Sequence, residues 1–139
     1  MIEPLTEELL EQLLASDDPA RFASDNKIET RSLADYLALL LVQKGLQRAE
    51  VVRAAGLNST FGYQIFTGDR NPSRDKLLQL VFAMKCTLKE ANRMLQAAGH
   101  SALYCKNRRD AIIIFCLEKG MSLLATDEEL YRFGEQTIC

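Results

Sequence analysis

What this sequence has little of narrows its function before any motif is considered. Its 139 residues include no tryptophan, three prolines, one histidine and four cysteines, and the formal net charge is only −2. The cysteines (Cys86, Cys105, Cys116, Cys139) are widely spaced and form no CxxC pair, which removes the common zinc and dithiol spacings and points to a reduced, cytoplasmic protein. The lone histidine, His100, has no carboxylate or cysteine at ligand spacing, so a surface residue is expected there and no metal is implied. There is no GxSxG, Walker-type loop or HExxH, and no second histidine to work with a cysteine. An enzyme is therefore not indicated, and no cofactor is called for. The longest apolar run, Ala111–Leu117, falls far short of the roughly 18 residues that a membrane span requires. The first eight residues are acidic rather than basic, so no signal peptide is expected. With 47% apolar residues and almost no net charge, disorder is excluded and the length suits one compact domain.

A deficit of basic residues over the whole chain argues against nucleic acid. Their distribution changes that reading. Residues 1–30 hold eight acids and two bases, a net of −6. Residues 31–85 hold eight bases (Arg31, Lys44, Arg48, Arg53, Arg70, Arg74, Lys76, Lys85) and four acids, a net of +4, and residues 86–139 hold seven of each. An acidic leader thus precedes a basic middle segment.

Apolar residues recur at three-to-four-residue steps throughout, which predicts helices and no strand. The leader helix runs from Pro4 to Ala15, with Leu5, Leu9, Leu10, Leu13 and Leu14 opposite Glu7, Glu8 and Glu11. That apolar side is expected to dock against the last hairpin or a sister chain. The polar connector Asp17–Thr30 offers only Phe22 and Ile28 as anchors. Further helices are expected at Leu33–Lys44 behind the N-cap Ser32, at Arg48–Ala55, at Ser59–Thr67 and at Arg74–Lys85 behind Ser73. Leu88–Ala98 follows behind Thr87, and Arg109–Lys119 and Ser122–Phe133 come last. His100–Asn107 reads as irregular.

A shift of 35 residues lays the chain on itself. Arg74-Asp75 falls on Arg109-Asp110, Leu88 on Leu123, Leu95 on Leu130 and Gly99 on Gly134. The pairs 73–99 and 108–134 therefore read as two α-hairpins of one design, through duplication or through convergent packing of like units. The second is expected to bury Ile112, Ile113, Phe115, Leu123 and Leu130 against the first. The organisation is a leader over 1–30, a domain over 31–99, and a hairpin over 100–139 packed on it as a single unit.

Residues 46–91 carry the most information. Two short helices meet at Gly56, and a Gly68-x-Arg70-x-Pro72-Ser73 loop leads into the next helix. Gly56 suits the left-handed turn between steeply crossed helices. Val51, Ala55, Leu57 and Ile65 would fix that crossing from inside. Phe61 belongs with them, while Asn58, Ser59, Thr60, Tyr63, Gln64 and Thr67 are left on the outer face.

Gly56-Leu57, the Gly-x-Arg-x-Pro-Ser loop, Leu77 and Leu80, all in register, resemble the XRE/Cro-type helix-turn-helix family of bacterial and phage transcriptional regulators. The resemblance covers about residues 33–95. It implies an all-α, five-helix, lambda-repressor-like domain whose third helix, Ser59–Thr67, enters the major groove of double-stranded DNA. Carried onto this chain, the base-facing residues are Asn58, Ser59, Thr60, Tyr63, Gln64 and Thr67. Gln64 has the chemistry to read adenine, and Thr60 to meet a thymine methyl. The phosphate-binding residues are Lys44, Arg48, Arg70 and Arg74.

The chain departs from the family pattern at three places. Gly62 stands where the family has an aliphatic residue, and Val52 where it has alanine, an exchange that conserves volume if the two meet. Phe66 replaces the usual glutamate, which would leave Arg70 without its local partner. Leu57–Thr67 contains no lysine or arginine, so any hold on phosphate must come from the flanks. Two functions follow: a DNA-binding transcriptional regulator working as a homodimer, or a protein-interaction adaptor that keeps the fold and binds through Tyr63 and Gln64. In either, the leader or the C-terminal hairpin is available for a protein partner.

Overall fold

The structure, a computed structural model, describes residues 6–16, 18 and 32–139. Two compact units divide the chain, Met1–Thr30 and Arg31–Cys139. The described part of the first is helix α1, Thr6–Ala15, whose Leu10, Leu13 and Leu14 are exposed. The expected anchors Phe22 and Ile28, with nearly all of the connector, lie outside the described residues.

The second unit contains seven helices and, among the described residues, no strand: α2 (Leu33–Lys44), α3 (Arg48–Ala54), α4 (Ser59–Thr67), α5 (Arg74–Ala83), α6 (Leu88–Ala97), α7 (Arg108–Glu118) and α8 (Leu123–Arg132). Most helix starts are set by a side chain. Ser32, Ser73 and Ser122 accept from the backbone N–H three residues on, and Thr87 forms a reciprocal capping box with Glu90. Asn107 caps α7 from Asp110 N–H at 3.0 Å, so that helix starts one residue before its expected position. An Asn three residues ahead of an Asp is the local signal that marks this start.

Helix α5 lies at the centre. Six consecutive residues, Leu77 to Phe82, are buried, which only a helix covered on every side can achieve. Helix α3 packs on α5 and α2 on α6. Val51, Ala55, Leu57 and Ile65 are buried at the α3–α4 crossing, and Phe61 is half-buried against the same core.

Hairpins α5–α6 and α7–α8 are joined reciprocally. Arg74 makes a two-pronged bond to Asp110 (2.9 and 2.8 Å), and Arg109 reaches Asp75 at 3.0 Å. Arg74 also donates to the carbonyls of Ser101 and Ala102, and Arg109 to those of Gln136 and Thr137, each partner shifted by the same 35 residues. Leu103 N–H binds the Asn92 side chain just as Ile138 N–H binds that of Asp127. Helix α5 touches α8 and α6 touches α7. A contact in which residue i of one unit meets j of the other, and j meets i, is the mark of a two-fold relation.

Asp110 is buried, and burial by itself would raise its pKa. The hydrogen bonds from Arg74 and from Tyr104 N–H, with the charges of Arg74 and Arg109, outweigh that and hold the carboxyl below its ordinary value. Of the expected core, Ile113 and Leu130 are fully buried and Ile112 and Leu123 partly so. Phe115 is not core: it is 59% exposed, because no element among the described residues lies over its side of α7. His100 is half-buried rather than superficial, since its Nε2–H donates to the Pro72 carbonyl at 2.8 Å.

Candidate functional site

Helices α3 and α4 build a surface from a tight local frame. Gly56, at φ 74°, takes the left-handed turn between them. At the crossing, a methyl group on Gly62 would stand 2.7 Å from Val52 Cγ2 and closer still to Cγ1. The bulk that the glycine lacks is thus supplied by the valine facing it. The exchange costs α4 about 1 kcal/mol of helix propensity.

This frame sets the outer face. Ser59, Thr60 and Thr67 are exposed, and Tyr63 is 49% exposed. Asn58 is exposed too, but its Oδ1 accepts from Thr60 and Phe61 N–H at 2.9 and 3.1 Å, so it serves as the N-cap of α4. The Thr67 hydroxyl lies 3.0 Å from Asp69 Oδ2 and 3.2 Å from the Gln64 carbonyl. Gln64 is half-buried, and its Oε1 accepts from Arg70 Nε at 3.1 Å. Arg70 therefore finds in Gln64 the local partner that Phe66 does not provide.

Arg48 lies over the Tyr63 ring, 4.4 Å from guanidinium carbon to ring centroid, a cation–π contact that holds both side chains on the surface. Together with Ala49, Val52, Arg53, Leu57 and Ser59 they line a cleft of about 310 Å³ between α3 and α4. Arg53 was not among the expected site residues. It sits five residues after Arg48, about 140° round the helix, so helical spacing does not group the two and the cleft between α3 and α4 does.

Two of the four expected phosphate ligands are engaged elsewhere. Arg74 is tied to Asp110 and to two backbone carbonyls, so its guanidinium joins hairpins instead of facing solvent. Lys44 bridges to Glu90 at 2.9 Å and to the Lys85 carbonyl at 3.4 Å, binding α2 to α6. Burial opposes ionisation of Glu90, but the Thr87 N–H and Lys44 outweigh it and lower its pKa.

What the structure brings together is a strip of hydroxyls and one aromatic ring, edged by Arg48 and Arg53 on one side and by Arg70 beyond the end of α4. Such a strip can hydrogen-bond to base edges or to a peptide, and its guanidinium groups can take phosphate or carboxylate. Among the described residues no cluster of three metal-binding side chains occurs and no helix is long and apolar enough to cross a membrane. No family model, curated protein or solved structure matches the chain.

Proposed function

We propose that this chain is a sequence-specific, DNA-binding transcriptional regulator of the XRE/Cro type, acting in the cytoplasm as a homodimer on two-fold related half-sites. In this reading α2–α6 form the lambda-repressor-like five-helix domain, and α4 is the recognition helix. The observation that carries it is the exposed face of α4. Ser59, Thr60, Tyr63 and Thr67 point outward with guanidinium groups at both margins. Thr60 and Tyr63 read bases; Arg48, Arg53 and Arg70 hold phosphates. Gln64 reads adenine only by giving up its bond to Arg70, and Asn58 serves the helix before it serves a base.

A second reading, a protein-interaction adaptor, is favoured by the absence of lysine and arginine from α4. Arg48 against Tyr63 would then form an amphipathic contact for a partner protein.

Fluorescence anisotropy on duplexes from the protein's own upstream region and on random duplexes, at several salt concentrations, separates the two. DNA binding is expected to weaken steeply with salt, and Arg48→Ala to flatten the logarithmic salt slope by about 1. Arg74→Ala is a poor probe, because it disturbs the fold. A folded protein that binds no duplex at low salt would eliminate the DNA reading in favour of the adaptor.

A further inference from the structure

Helices α7 and α8 expose large apolar side chains out of proportion to their length. Phe115, Leu124, Tyr131 and Phe133 are all in solvent here, against Val42, Tyr63 and Tyr104 over the much longer stretch 33–107. Ala111, Ile112, Phe115, Cys116 and Phe133 line a groove of about 530 Å³.

The 35-residue correspondence shows what kind of surface this is. Ile112, Phe115 and Glu129 of the groove, none of them fully buried, correspond to Leu77, Leu80 and Met94 of the first hairpin, which are, whereas Cys116 is fully buried, as is its counterpart Val81. Because the contact between the hairpins is two-fold, the faces turned toward each other are equivalent. The difference in burial therefore comes from the opposite faces. On the first hairpin, α3 and α2 pack against α5 and α6; among the described residues nothing equivalent packs against α7 and α8. The groove is the counterpart of a face that folds only when covered by helices.

We propose that a second copy of this chain covers the groove, with α7 and α8 of one copy meeting α7 and α8 of the other about a two-fold axis. The charges around the groove favour a copy over a partner of one sign. Arg108 stands 3.7 Å from Glu135 and Arg132 3.7 Å from Glu129, and Glu118 adjoins Lys119 at the end of α7. A border that carries both signs in equal number is self-complementary, so two copies can set opposite charges together across a two-fold axis, which a border of one sign could not. The centre is aromatic, with Lys119 and Arg132 resting on the Phe115 and Phe133 rings at 5.5 and 4.8 Å. Rigid rings with movable cationic edges form a contact core that needs little ordering.

This deepens the two-copy part of the proposed function and is tested without DNA. Sedimentation of the full chain from low to high micromolar concentration is expected to show a reversible dimer. Phe115→Asp should weaken it at least tenfold, because two aspartates would meet at the axis. Leu124→Asp, on α8 but outside the groove, should leave it unchanged. A photo-crosslinking residue at position 115 should give covalent dimers, a readout that stands even if Phe115→Asp fails to fold. A wild-type chain that stays monomeric overturns the proposal, as does a Phe115→Asp dimer as tight as the wild type. Loss of the dimer in Leu124→Asp alone would overturn it too. Tyr63→Ala and Arg48→Ala should dimerise normally while binding DNA more weakly, so failure of the recognition face and failure of the groove are separable.

Discussion

Hairpins α5–α6 and α7–α8 share caps, stops and the Arg-Asp pair, yet one is the centre of its unit and the other its flank. The shared residues fix how the hairpins hold each other. The residues that differ decide what each meets on its far side. Leu80 and Met94 accept the weight of α2 and α3, while Phe115 at the place of Leu80 is exposed and Glu129 at the place of Met94 is only half-buried. A position's conformation and its burial are therefore set by different things, the first by local sequence and the second by neighbours.

The largest expected effect tests whether the two arms of the Arg-Asp exchange are equal. Asp110→Ala removes a buried carboxylate that accepts twice from Arg74 and once from Tyr104 N–H, and should cost about 3–5 kcal/mol in urea unfolding. Asp75→Ala removes a single bond, to a carboxylate whose side chain is 33% exposed, and should cost about 1–2 kcal/mol. Equal losses would mean that the arms are energetically alike. The depressed Asp110 pKa gives the comparison a pH signature. Its contribution is complete above the unfolded carboxyl value of about 3.9 and is lost as pH falls through the lower folded value. Stability should therefore fall less on acidification in Asp110→Ala than in the wild type.

Next comes the far face. Leu80→Ala should cost about 2–5 kcal/mol, whereas Phe115→Ala should stay within about 0.5 kcal/mol when measured at protein concentrations that keep copies apart. A large loss at Phe115 under those conditions would show that its ring already works within one chain. The smallest expected difference between the hairpins concerns the turn inside each. Lys85 holds φ 51° where Gly120 holds φ 70°, and a side chain is disfavoured there. Lys85→Gly should gain about 1 kcal/mol, read as a rise in the urea midpoint.

Helices and caps were legible in the sequence because both are short-range. Ser73 or Thr87 ahead of an amphipathic run determines a start whatever surrounds it. The close fit of Gly62 and Val52 was legible for the same reason, since one crossing of two adjacent helices decides it. Arg74 was not legible as a tie. It stands beside a turn that suits phosphate binding, and its true partner, Asp110, is 36 residues away. The repeated Arg-Asp pair was the visible sign, but only the two-fold arrangement makes each copy's arginine meet the other's aspartate. Lys44 was obscured in the same way by Glu90. Phe115 shows the converse case: its apolar spacing marks it as core, and it lies outside because no described element covers it. Of the candidate face, Ser59, Thr60, Tyr63 and Thr67 are where helical spacing puts them. The hydrogen bonds that engage Asn58 and Gln64 depend on the turn beyond each end of α4.

An Arg-Asp pair at the head of a helix is its own complement, so any hairpin that bears it can pair with any other that does. Two free hairpins would meet only as often as their concentration allowed. Residues 98–107 join them in one chain and replace that dependence with an effective concentration on the order of millimolar. The Arg-Asp contact is therefore insensitive to how much protein a cell makes. The contact proposed for the groove on α7 and α8 has no such tether, and its occupancy would rise and fall with supply.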